Sequence, residues 1–216
     1  MDFIQTSHRQ GYEIIQSVPE LKELWDEIVL SLHLITDEDI KSRFDENPRE
    51  ATSISQAINE LIDESLRRKD WKPQSRIFKD LQYDKKTWTL DFSKQIVKAD
   101  GRKSGMAVEV AFNHRQVIAW NLLKPVLAAE MNHLPKETDI GEGIGIIICA
   151  TEDLRESGGF NNAVGTYENF LANLKPLSQV ITTPMVIVGL EPLRKFKIDV
   201  KKTHGKNLGE VIDLDY

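Results

Sequence analysis

Residues 97–113 read VKADGRKSGMAVEVAFN, two short apolar runs joined by a polar connection that contains Gly101 and Gly105. Apolar runs separated by a polar, glycine-containing segment are typical of two paired β-strands. Asp100 lies where the first run ends, and Glu109 lies inside the second run between two valines. A carboxylate inside an apolar strand is costly unless it has a partner. We therefore predict that the chain is organised around this strand pair, which brings both carboxylates to one site.

A divalent cation is the simplest partner for the two carboxylates. Mg²⁺ prefers oxygen ligands, usually takes one or two carboxylates and keeps several of its waters. The spacing of Asp100 and Glu109 also arises by chance, and an edge-strand glutamate that faces water is the alternative interpretation. On the residues alone, the magnesium site is a hypothesis.

The chain has 216 residues, of which 40% are hydrophobic and 29% are charged, and its formal net charge is −6. This length predicts one domain, residues 1–216, with a sizeable core. The negative charge gives no global basic signature for nucleic acid, although six Lys and Arg residues cluster within 194–206. That cluster is either a phosphate-contacting patch or a solvated basic surface.

The single cysteine, Cys149, lies in the apolar stretch IIICA at 146–150, which predicts a buried structural thiol. One cysteine excludes an internal disulfide and fits a reducing compartment. The N-terminus lacks a basic start followed by an apolar run, so we expect no signal peptide. No apolar stretch is long enough to cross a bilayer, so we expect a cytoplasmic protein with no membrane partner.

Apolar periodicity predicts the order of the elements. The expected segments are helices at 21–35, 36–47, 53–69, 116–133 and 166–174, and strands at 76–82, 87–92, 144–150 and 185–190. Apolar strands separated by helices are typical of an α/β sheet with both faces covered. We therefore expect a helical N-terminal part (1–70), a core (71–192) and a basic C-terminal segment (193–216). In the helix at 116–133, the small residues Ala128 and Ala129 suggest a subunit contact.

Other sites of chemistry are few. The five histidines show no zinc-type spacing, and the sequence contains neither a nucleophile elbow nor a phosphate-binding loop. The segment NHRQ directly follows the Glu109 strand and consists of Asn113, His114, Arg115 and Gln116. Asn, Gln and Arg pair with adenine and guanine edges, so the segment is either a DNA-recognition loop or a polar loop that caps a helix.

The order of these elements resembles that of the BglII/BstYI-like type II restriction endonucleases, which belong to the PD-(D/E)xK nuclease superfamily. The resemblance runs from about residue 11 to residue 192. It is carried by LWDEI (24–28), NELIDESL with the following Trp71 (59–71), VEVAF (108–112), GIIICAT (145–151) and VIVGL (186–190). It implies a restriction-endonuclease-like α/β core with a central mixed β-sheet flanked by helices, and a helical N-terminal region.

The resemblance also implies a function. Such enzymes are homodimers that cut both strands of a palindrome in double-stranded DNA with Mg²⁺, and the best-known members read sites with a GATC core. A cognate DNA methyltransferase is then expected in the host. Carried over by position, Asp100 matches the metal-binding aspartate and Glu109 the catalytic, metal-proximal glutamate, while the backbone carbonyl of Val110 matches a further metal contact.

The sequence departs from this family at Ala111, where the relatives carry glutamine and the wider superfamily often carries lysine. Three explanations stay open: Asn113 replaces the missing side chain, Lys103 replaces it, or the metal and the scissile phosphate activate water by themselves. The departure also supports an alternative function, a DNA-binding protein that has lost catalysis on the same scaffold. A nuclease outside a restriction system is a third possibility that the sequence does not separate from the first.

Overall fold

The computed structural model describes residues 1–46, 51–130, 133–203 and 206–214. The helices of these ranges are α1 (Gly11–Ser17), α2 (Pro19–His33), α3 (Asp37–Glu46), α4 (Ser55–Arg67), α5 (Ile118–Glu130), α6 (Glu152–Ser157) and α7 (Tyr167–Leu177). The strands are β1 (Phe3–His8), β2 (Lys72–Arg76), β3 (Thr89–Val97), β4 (Lys103–Val110), β5 (Ile144–Ala150), β6 (Met185–Leu190), β7 (Phe196–Thr203) and β8 (Lys206–Asp213). Among the described helices, none combines the length and the apolar character that a membrane crossing needs.

Six strands form a central mixed sheet in the order β1-β6-β5-β4-β3-β2. The pairs β4–β5 and β5–β6 are parallel, whereas β1, β2 and β3 pair with their neighbours in antiparallel fashion. Strands β7 and β8 form a separate antiparallel hairpin. This architecture confirms the predicted α/β fold with a central mixed sheet flanked by helices.

Two layers of helices cover the central strands β5 and β6, which are buried at every position. On one face, Val108 and Ile146 belong to the core that includes Ile28 of α2 and Ile58 of α4. On the other face, Ile147 packs with residues of α5 and α7. Burial on both faces explains the continuous apolar runs of these strands.

The N-terminal part differs from the prediction in one respect. Helices α2, α3 and α4 lie where apolar periodicity predicts them, but β1 precedes them and forms an edge of the central sheet. Strand β1 pairs antiparallel with β6, more than 170 residues away, from Phe3↔Leu190 to His8↔Met185. Because that pairing is remote in sequence and β1 lacks an apolar alternation, no local pattern indicates it.

Helix α5 also corrects a prediction. It spans Ile118–Glu130 of the expected 116–133, and residues 131–132 lie outside the described ranges. Ala128 and Ala129 are buried within the chain, in a cluster with Leu127 and Ile140. The prediction that these two alanines contact another subunit is therefore wrong, because the surrounding elements of the same chain already cover them.

The basic C-terminal segment contains the β7–β8 hairpin and several surface ion pairs. Arg194 pairs with Asp2, Lys195 with Glu38, and Lys201 with Glu210. These charges are exposed and paired, so this part of the segment fits a solvated surface better than an unneutralised phosphate-binding patch.

Candidate active site

The β3–β4 hairpin confirms the predicted strand pair but separates the two predicted carboxylates. Its register runs from Val97↔Lys103 beside the turn to Phe92↔Val108 at the open end. Asp100 lies in the turn, whereas Glu109 lies six residues beyond Lys103, which places it roughly 20 Å away along the strand. In an antiparallel hairpin, two residues that face each other are equally far from the turn. Asp100 is in the turn and Glu109 is near the open end, so the two lie at opposite ends of the hairpin. The expectation that they share one site is corrected.

The environment of Asp100 supports this correction. Asp100 is exposed, and its carboxylate accepts hydrogen bonds from the side chain and the backbone N–H of Arg102. These bonds hold the pKa of Asp100 below its usual value. Arg102 also pairs with Glu142. The residue therefore belongs to a charged surface turn.

Asp91 of β3 is the carboxylate that neighbours Glu109. Strand pairing stops at Phe92↔Val108, one residue before both groups. Beyond this point the backbone N–H of Val110 donates a hydrogen bond of 2.8 Å to the Asp91 side chain. Asp91 thus takes the place of a backbone acceptor and is fixed beside Glu109 where the two strands separate.

Burial dominates the electrostatics of this pair. Glu109 is 2% exposed, and burial followed by the proximity of Asp91 raises its pKa to about 8, against the attraction of Lys124. Burial also raises the pKa of Asp91, and the hydrogen bond from Val110 opposes that rise. Oε1 of Glu109 is buried without a hydrogen-bond partner. Burial of these two carboxylates costs folding free energy, and such a buried carboxylate pair is typical of a site that binds a cation.

Lys124 of α5 reaches the same pair from the facing helix. Its Nζ donates a hydrogen bond of 2.5 Å to Oε2 of Glu109, and the residue is only 8% exposed. Its charge also acts on Asp91. The site therefore contains two carboxylates and one ammonium group, all largely withdrawn from water.

An open cleft of about 540 Å³ leads to these groups, and we call it the candidate active-site cleft. Strand β4 supplies Glu109 and Val110 to its wall, and β3 supplies Asp91. The other polar and aromatic lining residues include Asn59 of α4, Gln74 of β2, Lys86, and Trp120 and Asn121 of α5. The carboxylates are therefore reachable by a ligand although they are buried in the fold.

The predicted recognition segment lies at one edge of this cleft. Asn113, His114, Arg115 and Gln116 are all exposed, and Asn113 lines the cleft. Asn113 accepts a hydrogen bond from the Asn121 amide, and Arg115 donates to the backbone carbonyl of Asn162. The segment is thus held in place while its polar side chains face outward.

Lys103 and Asn113 are the two residues considered as replacements for a catalytic side chain at position 111, and the structure shows where each of them lies. Lys103 lies at the turn end of β4, where its Nζ is 3.4 Å from the Asp139 carboxylate, so it is remote from Glu109. Asn113 is close, but its side chain already bonds to Asn121. Ala111 itself is 1% exposed and packs against Ile118 and Leu122.

Asp91 and Lys124 are the residues that sequence reasoning missed. Asp91 interrupts the apolar run of Leu90 and Phe92, which is the same signal that identified Glu109. Lys124 is the one lysine of α5, and it is buried among mostly apolar residues of that helix. A search for lone charges inside apolar elements would have found both.

Comparison with known proteins identifies the fold and the family. One solved structure, described as the crystal structure of restriction endonuclease BglII complexed with a DNA 16-mer, matches with a TM-score of 0.64 and 19% identity over 99% of this chain and 100% of that chain. The structure of free BglII matches with a TM-score of 0.49 and 18% identity over the same shares. A comparison with curated proteins found no significant match.

The family profile described as restriction endonuclease BglII/BglIII matches residues 3–190. This range includes the whole central sheet together with Asp91, Glu109 and Lys124. The chain therefore belongs to the BglII/BglIII family of restriction endonucleases, which are DNA nucleases.

Proposed function

We propose that the protein is a type II restriction endonuclease that cleaves both strands of palindromic DNA at a specific site, with Mg²⁺ as its cofactor. The observation that carries the proposal is the buried pair of Asp91 and Glu109 at the bottom of an open cleft, in a chain of a restriction endonuclease family.

The residues of the site fit a magnesium ion. Oε1 of Glu109 is buried without a partner, and a cation would supply the missing interaction. Two carboxylates and the Val110 backbone carbonyl form the kind of oxygen set that Mg²⁺ accepts, since it completes its coordination with water. In the described part of the chain, no group of three or more His, Cys, Asp or Glu residues offers a richer site. We therefore assign Asp91, Glu109 and Val110 to the metal in place of the set with Asp100.

The reaction is the hydrolysis of a phosphodiester. A bound Mg²⁺ would acidify water and neutralise charge that develops on the phosphate. Val110 keeps the Asp91 carboxylate in position through its N–H, and the apolar surroundings of Glu109 exclude bulk water from one side of the site. The water oxygen bonds to phosphorus while the bond to the leaving oxygen breaks, which produces a phosphate monoester and a hydroxyl group.

Double-stranded DNA is the proposed substrate. The relative that resembles this chain was solved in complex with a DNA 16-mer, and the exposed residues Asn113–Gln116 lie at the edge of the cleft. The Asn, Arg and Gln side chains of this segment are of types that read base edges in the major groove. We propose that this segment contributes to recognition of the site.

Other features of the proposal come from the family resemblance. A homodimer would match its two-fold symmetry to a palindrome and place one active site on each strand. A GATC core in the recognition sequence, a cytoplasmic location and a cognate methyltransferase in the host all stay predictions. Sedimentation equilibrium with a short palindromic duplex tests the dimer, since a 24.7 kDa species alone would contradict it.

A second candidate function is DNA binding without cleavage, which the alanine at position 111 favours. Incubation of the purified protein with unmethylated plasmid DNA separates the two candidates. Discrete fragments that form with Mg²⁺ and disappear with EDTA support the endonuclease. Retarded but intact DNA under both conditions supports the binding protein.

A further inference from the structure

We propose that Lys124 is a catalytic residue of this enzyme, and that its ammonium group, delivered by helix α5, contacts the scissile phosphate in place of a side chain at position 111. The inference rests on the proposed function, because it names a residue of the same reaction. Three features of the structure support it.

The first feature is that position 111 has no room for a catalytic side chain. Ala111 is 1% exposed and packs in one apolar cluster with Ile118 and Leu122 of α5 and Ile147 of β5. Interiors of this kind are close-packed, and extra atoms force neighbouring side chains to shift. The strand position that follows Glu109 on the same face is therefore closed by helix α5.

The second feature is the path of α5 along β4. Near one end of the contact, Ala107 shares a cluster with Leu127, and near the other end Ala111 shares a cluster with Leu122. Glu109 lies between the two alanines on the same face of the strand, and Lys124 lies between the two leucines on the helix. The helix that closes position 111 thus places a lysine directly against the catalytic glutamate, as the Nζ–Oε2 distance of 2.5 Å shows.

The third feature is an unsatisfied carboxylate oxygen. The ammonium group of Lys124 satisfies only one oxygen of Glu109, while Oε1 is buried without a partner. Such an ion pair would contribute little to stability, because a buried pair offsets its desolvation cost only when its other polar atoms also form hydrogen bonds. A divalent cation bound to Glu109 would supply the interaction that Oε1 lacks.

These features assign a role to Lys124. If Glu109 held a cation, the ammonium group of Lys124 would no longer be the sole partner of that carboxylate and could donate hydrogen bonds to a non-bridging phosphate oxygen. Lys124 itself transfers no proton in this reaction. One proton of the attacking water passes to solvent through the open cleft, and the leaving oxygen takes one proton from solvent.

The test compares two neutral variants with a matched control. Lys124→Met keeps the shape without the charge, and Lys124→Gln can still donate a hydrogen bond to Glu109 if the first variant does not fold. The control is Lys136→Met, because Lys136 is an equally buried lysine whose Nζ lies 2.7 Å from Asp139 and bonds to the α5 carbonyls of Ala128 and Ala129. Each protein is assayed for cleavage with Mg²⁺, for duplex binding with Ca²⁺, and for Ca²⁺ affinity by tryptophan fluorescence.

We expect the folded Lys124 variants to lose about a thousandfold in cleavage rate, or roughly 4 kcal/mol in barrier, with duplex binding unchanged. Their Ca²⁺ affinity should equal or exceed that of the wild type, because the ammonium no longer competes for Glu109. Lys136→Met should lose thermal stability and keep its cleavage rate per folded molecule.

Two results would overturn the inference while the wild type cleaves DNA. One is a folded, neutral Lys124 variant that cleaves within a hundredfold of the wild-type rate. The other is a loss of cleavage accompanied by a parallel loss of Ca²⁺ affinity, because Lys124 would then only organise Glu109. A wild-type protein that cleaves no DNA would instead refute the proposed function itself.

Discussion

Replacement of Asp91 by asparagine tests the assignment of the metal site against the prediction from sequence. Asparagine has nearly the same shape, and its side-chain oxygen can still accept the hydrogen bond that Val110 donates to Asp91 at 2.8 Å. The substitution therefore removes one negative charge and leaves the strand geometry in place. A catalytic metal supplies several kcal/mol of stabilisation to the transition state. If the loss of one carboxylate ligand removes about 4 kcal/mol of that term, cleavage slows about a thousandfold.

Stability should not fall in the Asp91→Asn protein. Asp91 is largely buried beside Glu109, and its charge raises the pKa of Glu109. Removal of one charge relieves that repulsion. We therefore expect a melting temperature in EDTA that equals or exceeds the wild-type value.

The assay is plasmid cleavage under single-turnover conditions with Mg²⁺, with Asp100→Asn as the matched control. Asp100 is exposed in the hairpin turn and bonds to Arg102, so its substitution should leave the cleavage rate within about threefold of wild type, the scale of an exposed charge pair. The reasoning is refuted if Asp91→Asn cleaves at a near wild-type rate, or if Asp100→Asn loses activity to the extent expected for Asp91→Asn.

Three further substitutions have definite expectations. Glu109→Gln should abolish cleavage without destabilising the metal-free protein, because it removes a buried carboxylate with an unpartnered oxygen; a fall of more than about 4 °C in melting temperature, or roughly 1 kcal/mol, contradicts this. Ala111→Gln should lower the free energy of unfolding by about 1–3 kcal/mol through overpacking, since Ala111 is buried against α5; unchanged stability in denaturant titrations would show that the site has room. Arg115→Ala should weaken binding to the cognate duplex more than to random DNA, and an equal loss in filter binding would restrict Arg115 to phosphate contacts or structure.

The sequence was sufficient for much of the fold because the signals involved are local. The apolar stripes of α2 and α4 and the continuous apolar runs of β5 and β6 mark these elements directly. Strand β1 was missed because its identity depends on pairing with β6, which is remote in the chain. Long-range pairing of a short, half-buried strand leaves no periodic pattern to detect.

Local signals also explain why only a part of the site was predicted. Glu109 was found because it is an isolated carboxylate between apolar residues, and the structure places it at the bottom of the cleft. Asp100 was chosen by its spacing from Glu109, but spacing does not reveal the register of a hairpin. The strands extend to Thr89 and Val110, so the partner of Glu109 lies at the start of β3 and not in the turn. Lys124 required knowledge of which helix residue lies over which strand residue, which periodicity alone does not give.

The position of a bound metal ion would show directly whether Asp91 or Asp100 shares the metal with Glu109. A crystal of the protein with a cognate duplex and Mn²⁺ would locate the ion by its anomalous scattering. We predict one ion within about 2.2 Å of carboxylate oxygens of Asp91 and Glu109 and of the Val110 carbonyl. An ion held by Asp100, or a cleft in which neither Asp91 nor Glu109 contacts metal while the DNA is cut, would contradict it.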